Sequence, residues 1–194
     1  MLTPILKELE DFMTDHGYPI IKKFNIGKAQ EETIELFKNM DLYLPNDVIE
    51  LYKWKNGISG IYEEGTTISE LSLFADGIMF PLEYAVSTYA LEAKVEKYIQ
   101  ENFFPIFTGG GGDYILMDLS KKNRSENLFL YSPSILLLDK PMTIYDSLEA
   151  LFKTVLTTYQ TTGYYFDGNS LEVDFEIRDK IAAELNPKSD FWKE

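Results

Sequence analysis

The sequence predicts an α+β fold, a central antiparallel sheet flanked by helices. Apolar residues three and four positions apart mark helices early and late in the chain. Short strand-like runs between glycine and proline turns fill the middle. This helix–β–helix segregation is the mark of α+β architecture. With 194 residues, no internal repeat and no low-complexity linker, the expectation is one domain over 1–194.

Residues 3–16 are expected to be helical. Thr3 can cap and Pro4 suits the first position, while Ile5, Leu6, Leu9, Phe12 and Met13 form one stripe and Gly17 ends it. A weaker helix is expected over 29–39. The stretch 44–57 is expected to be a third helix, opened by Pro45 and Asp47 and stopped by Asn56-Gly57 in a left-handed turn. Loop and short strands follow, at 71–74 and 78–80, split by Asp76-Gly77. Pro81 introduces a helix over 83–100.

The β region begins at 103–107 and 114–119, two strands flanking Gly109 to Gly112. Further strands are expected at 128–132 and 135–138, giving an antiparallel meander. Residues 144–159 are expected to be helical on a stripe of Leu148, Leu151, Phe152, Val155 and Leu156. Near the end, Leu171, Val173, Phe175 and Ile177 alternate with Glu172, Asp174 and Glu176, as in a strand. Val173, Ile177, Ile181 and Leu185 fit a helix equally well. The expectation is a short strand passing into a helix that ends before Pro187.

Composition narrows the chemistry. There is no cysteine, which excludes disulfides, thiolate catalysis and cysteine-based zinc sites, and fits a reducing compartment. The single histidine, His16, excludes a two-histidine metal site within the chain. Acidic residues follow soon after Met1, unlike a signal peptide. No apolar run approaches the ~18 residues of a membrane span, so a cytoplasmic protein is expected. The formal net charge is −14, from 18 basic and 32 acidic residues. Such a field repels nucleic acid and anionic lipid and attracts basic partners, although acidity also serves solubility alone.

The run Thr108-Gly109-Gly110-Gly111-Gly112-Asp113 is the most conspicuous motif. A phosphate-binding loop needs Gly-Lys-Ser/Thr at a helix start, whereas here an aspartate leads into a strand. A hairpin turn needing positive φ is the better reading. Asp113 and Asp118, or the row Glu172, Asp174 and Glu176, could supply paired carboxylates for hydrolysis. The same row could hold a divalent cation, but it lacks EF-hand order and a strand spreads its ligands too widely. A solvated face is the simpler account, and no cofactor or metal is expected. His16 suits a helix C-terminus. Trp54 is either core or an exposed contact ring. Asn123-Arg124-Ser125 matches a glycosylation sequon by chance composition.

Four segments together resemble the SUKH superfamily, which groups yeast Knr-type cell-wall synthesis regulators with many bacterial toxin-immunity proteins. They are Leu44-Pro45 with Leu51-Tyr52 and Asn56-Gly57; Met79-Phe80-Pro81-Leu82; Phe104-Pro105-Ile106-Phe107 with the glycines and Asp113-Tyr114-Ile115; and Tyr145-Asp146-Ser147-Leu148-Glu149. The resemblance covers roughly 40–160, with an N-terminal helix and a C-terminal extension packed on that part. The glycine run is longer than the family pattern requires.

The resemblance implies a SUKH-like sheet and helices, no enzymatic activity, and a protein partner. For bacterial members that partner is a cognate toxin, often a nuclease, and a basic toxin domain would suit the acidic field. The alternatives are a regulatory or scaffold module of the Knr type and, less favoured, a carboxylate-dependent hydrolase. The residues expected to meet a partner are Gly110, Gly111, Gly112, Asp113, Tyr114 and Asp118 near the hairpin, and the row Glu172, Asp174 and Glu176.

Overall fold

A computed structural model describes the chain apart from Tyr62, Asp76, 93–101, 122–124, 134–135, Asp139 and Glu194. Helix α1 spans Leu2–Asp15, burying Leu2, Leu6, Leu9 and Met13. It closes on Gly17 at φ +67, where Gly17 and Tyr18 donate to the carbonyls of Thr14 and Met13, both at 3.0 Å. This is the Schellman arrangement, which satisfies carbonyls left open at a helix end. His16 is the C-cap. Its Nδ1 lies 2.8 Å from the Phe12 carbonyl and its ring stacks on Phe12.

A 3-10 turn at Pro19–Lys22 leads to strand β1, Phe24–Ile26, and helix α2, Gln30–Phe37. Helix α3, Asn46–Trp54, buries Val48, Leu51 and Tyr52. The expected left-handed stop at Asn56-Gly57 is not how α3 ends. Lys55 is already extended, at φ −145 and ψ 143, and strand β2, Lys55–Ile58, pairs antiparallel with β1.

Asn56 and Gly57 instead seat a later helix, α5 (Leu82–Glu92). The Leu82 N–H donates to Asn56 Oδ1 at 2.9 Å, and Asn56 Nδ2 donates to Glu83 at 3.1 Å. Gly57 has φ +63, and a Cβ there would stand 2.3 Å from the Phe80 carbonyl carbon. Only glycine permits both that conformation and that approach. Asn-Gly is a positive-φ signal either way, and sequence alone does not tell a helix stop from a close crossing.

Residues 58–82 are partly helical. Thr67 and Glu70 form a capping box around α4, Ile68–Leu71, with Glu70 reaching back to the Thr67 N–H at 3.2 Å, and the expected strand at 71–74 is reduced to an isolated bridge between Phe74 and Gly77. Strand β3 is short, Ile78–Met79. The expected helix over 83–100 is seen as α5, and its part beyond 92 lies outside the described residues.

The main sheet runs β3-β4-β5-β6-β7 in chain order, every neighbour antiparallel. This is the expected meander, with β4 at Phe103–Gly110, β5 at Asp113–Asp118 and β6 at Leu128–Tyr131. Its last strand is not the expected 135–138. Leu136 to Leu138 are irregular, Ile135 lies outside the described residues, and the edge strand β7 is Met142–Tyr145. The late helix therefore starts later than 144, at Leu148. There the Ser147 hydroxyl accepts from the Ala150 N–H at 3.0 Å as N-cap of α6, Leu148–Gln160.

The C-terminal part follows the expected short strand passing into a helix that ends before Pro187, and adds one strand ahead of it. Tyr164–Asp167 and Ser170–Val173 form a separate hairpin, β8–β9, and the chain turns helical at once as α7, Phe175–Leu185. Alternation thus ends at Val173, and Asp174 is the N-cap of α7, accepting from the Ile177 N–H at 3.1 Å.

Helix α6 links the layers, packing on α1, α7, β7 and β8. Its Phe152 meets Phe107 of the sheet and Trp54 of α3. Trp54 belongs to this core. It is half-buried against Phe24, and its Nε1–H donates to Glu10 at 2.7 Å. The segment after α7 clasps the sheet edge. Ser189 Oγ donates to the Thr143 carbonyl at 2.8 Å, Trp192 Nε1 to the Ile144 carbonyl at 2.6 Å, and Asn186 Nδ2 to Thr154 Oγ1 at 3.0 Å. Edge-strand carbonyls that would otherwise invite another chain are thereby occupied.

Candidate functional site

Strand β5 separates the sequence-derived candidates. Side chains alternate across a strand, so Asp113, Ile115 and Met117 share one face and Tyr114 and Asp118 the other. Asp113 and Asp118 stand at opposite ends, about 17 Å apart at ~3.4 Å per residue. Carboxylate pairs that hydrolyse glycosides stand roughly 5–9.5 Å apart, so these two cannot cooperate in that way. Asp118 is engaged locally, accepting from the Ser120 N–H at 2.8 Å. Tyr114 is half-buried, with its ring tilted towards Phe80.

The four glycines divide their work. Gly109 and Gly110 belong to β4, and Gly111 and Gly112 form a two-residue turn at φ +64 and +91. Positive φ at both positions is the type I′ pattern that matches strand twist. Thr108 braces the turn. Its Oγ1 donates to the Asp113 carbonyl at 2.8 Å and accepts from the Gly110 N–H at 2.9 Å. Gly111 and Gly112 are exposed, whereas Gly110 is buried against Ile68 of α4.

The acid row does not line a strand face. Glu172 lies on β9, Asp174 caps α7 and Glu176 sits in its first turn, all three exposed. The apolar residues between them matter more. Leu171, Val173 and Phe175 line a hollow of about 400 Å³ with Ile68, Ser72 and Ala75. Ile68 is 40% and Phe175 58% exposed, so large apolar groups face solvent there. The two groups of candidates, hairpin and acid row, are therefore joined through α4.

A second hollow adjoins this one, and a third adjoins the second. The second, a cavity of about 190 Å³, shares Ala75 with the first and is lined by Asp113, Ile115, Leu130, Ser132, Tyr145 and Trp192, among others. An open hollow of about 770 Å³ shares Arg178, Phe191 and Trp192 with that cavity and includes Glu176 and Asp179. Arg178 stands between them. Its guanidinium lies 4.9 Å from the Phe175 ring centre and 5.1 Å from that of Trp192, and it pairs with Asp179. Asp113 is 5% exposed, and its Oδ1 is buried with no hydrogen-bond partner among the described residues. Buried polar atoms are hydrogen-bonded in the great majority of cases, so this oxygen is an exception.

The sequence pointed to Asp113 and Glu176 but missed Ile68, Phe175, Arg178 and Trp192 as parts of one surface. The closing Phe191-Trp192 pair was the one visible hint, since two large rings at a polar chain end need something to cover. Among the described residues no cluster of three acids or histidines could hold a metal, and no helix is long and apolar enough to cross a membrane.

The model of the SMI1 / KNR4 family (SUKH-1) matches residues 28–154. No curated protein matches the chain. The matched span includes Ile68 and Asp113 and stops short of Phe175, Arg178 and Trp192.

Proposed function

We propose, from the premise that the chain belongs to the SMI1 / KNR4 family (SUKH-1), that this protein is a non-enzymatic binding module acting as an immunity protein. It would bind and neutralise a toxin domain, most plainly a basic nuclease. One observation carries the reading. The joined hollows around α4, the start of α7 and Trp192 set exposed apolar side chains, Ile68 and Phe175, beside a rim of mixed charge, Glu176 and Asp179 with Arg178, Lys180 and Lys193. Apolar and aromatic anchors inside a charged rim are what a protein interface needs. The net charge of −14 supports a basic partner, because opposite fields steer encounter. The hydrolase alternative loses its best pair, since Asp113 and Asp118 lie at opposite ends and on opposite faces of β5.

The test is binding and protection. The product of the adjacent gene, or its C-terminal domain, is purified and titrated with this protein at rising ionic strength. The expected result is a 1:1 complex whose association rate falls by at least tenfold between low and high salt, with loss of toxicity on co-expression. A neighbour with no toxic activity, and no protection against it, would overturn the immunity reading. A salt-dependent complex with a non-toxic signalling protein would favour the regulatory role instead.

A further inference from the structure

We propose that Leu137, in the loop between β6 and β7, is an anchor that enters an apolar pocket of the protein partner. The inference rests on the protein-binding reading and names one residue and the shape that the partner must offer. Three consecutive leucines, Leu136, Leu137 and Leu138, lie in this loop and form neither strand nor helix. Two of them have uses within the fold. Leu138 packs against the core, and Leu136 lines the cavity of about 190 Å³. Leu137 does neither and is 81% exposed.

A lone exposed leucine is ordinary on a protein surface. Two further observations set this one apart. The first is its backbone. Leu137 has φ +55, in the left-handed region where a bulky residue is an outlier. The other non-glycine residues at positive φ, among the described residues, have local reasons. Asn102 is of a type that tolerates the conformation, and Thr162 follows the C-cap of α6. Leu137 has neither reason.

The second is how the loop is held. Ser132 is 2% exposed and takes both neighbours of Leu137. The Leu136 N–H donates to Ser132 Oγ at 3.2 Å, and the Leu138 N–H donates to the Ser132 carbonyl at 3.0 Å. Two bonds to one buried residue close the loop and leave the residue between them in the open. A strained conformation that its surroundings enforce is the kind found at binding sites. Because the loop is already braced, little freedom is lost when Leu137 is buried by a partner.

The placement joins Leu137 to the surface described above. Tyr114 of β5 stands opposite Tyr131 of β6, so the β6–β7 loop leaves the sheet at the same end as the Gly111-Gly112 turn. Through Leu136 it adjoins the cavity that shares Ala75 with the hollow beside Ile68 and Phe175. Charge selects the occupant. A body of net charge −14 repels anionic lipid and a second copy of itself, and attracts a basic protein.

The test compares Leu137→Asn and Leu137→Met in the full chain. Asparagine tolerates positive φ and removes the apolar side chain, whereas methionine keeps its bulk. Urea midpoints come first. Leu137→Asn should keep or raise the midpoint of the parent, because the fold does not use this side chain. A clear fall would assign Leu137 to the fold and overturn the inference. Binding to the purified C-terminal domain of the adjacent gene's product is then titrated. Leu137→Asn should weaken it by about tenfold or more, as loss of a buried leucine does. Leu137→Met should stay within about threefold of the parent. Equal binding by Leu137→Asn and the parent would overturn the inference and leave the protein-binding reading standing. No binding by the parent would remove that reading and the inference with it. A parent that sediments as a dimer, made monomeric by Leu137→Asn, would give the leucine to a second copy and overturn the inference as well.

Discussion

Two buried tyrosines differ in what their hydroxyls meet, and the difference sets opposite outcomes for one change. Tyr159 donates to the Leu73 carbonyl at 2.7 Å, tying α6 to the loop before β3. Tyr52 is fully buried on α3, and its hydroxyl has no partner among the described residues. Burial pushes both phenols far above their usual range. Tyr159→Phe should cost about 1–2 kcal/mol, because it leaves a buried carbonyl unanswered. Tyr52→Phe should cost nothing or add up to about 1 kcal/mol, because it removes an unmet polar group. Urea midpoints of the two variants check both signs. At this scale the sequence was informative where a residue has one dominant use. Gly17 closes a helix and Gly111-Gly112 turns a hairpin, as their settings imply. Gly57 and Asp113 were harder, because what distinguishes them is Phe80 beside one and a hollow beside the other, both remote in sequence.

Helix α7 carries a test of structure against binding within one residue. Asp174 caps the helix and is also one of the acids expected to meet a partner. Asp174→Ala should lower stability by about 1 kcal/mol, the usual cost of a lost N-cap. Asp174→Asn keeps an oxygen for the Ile177 N–H and removes the charge, so its melting temperature should stay near that of the parent. Thermal melts of the pair check this, and a slower association of the Asn variant with a basic partner would then report charge alone. The elements most legible in the sequence were those with both a strong period and a cap, such as α1, or a turn, such as β4–β5. Strands β1, β2, β7 and β8 were not foreseen. Each has four residues or fewer, too few for an alternation to show, and each is held by a partner strand rather than by its own pattern. The late helix was begun too early because Ile144 and Tyr145 continue its apolar period while belonging to β7.

Across the whole molecule, acid should weaken the helical layer. Glu50 of α3 is held below its usual range chiefly because the Thr3 hydroxyl donates to it at 2.8 Å, joined by the Thr3 N–H and Asn46. Glu149 of α6 is held low first by Lys153 at 2.6 Å. For Glu83, burial pushes upward but is outweighed by Lys28 and the bonds around it. A carboxyl held low in the folded chain stabilises it fully above the unfolded value near 4.5 and loses that contribution as pH falls through the folded value. Asp47 opposes this, because burial and nearby Glu50 raise it, so its protonation favours the fold. Asp41 is also held low, by Lys121, so four groups against one give the sign. Unfolding free energy, followed by urea titration from pH 7 to 3, should hold until about pH 4.5–5 and then fall. The fold class was legible at this scale because segregation of periods survives local errors. The proposed binding surface was not, because the family-matched part and the C-terminal extension meet there only after folding. The packing of α1 on α6 has a further consequence, in time rather than in energy. The stripe Leu2, Leu6, Leu9 and Met13 is made first, and residues 148–160 that cover it follow roughly 130 residues later. At about 5–20 residues per second that is a delay on the order of 10 s, during which a greasy helix waits on the ribosome for its seat and is a natural client for chaperones.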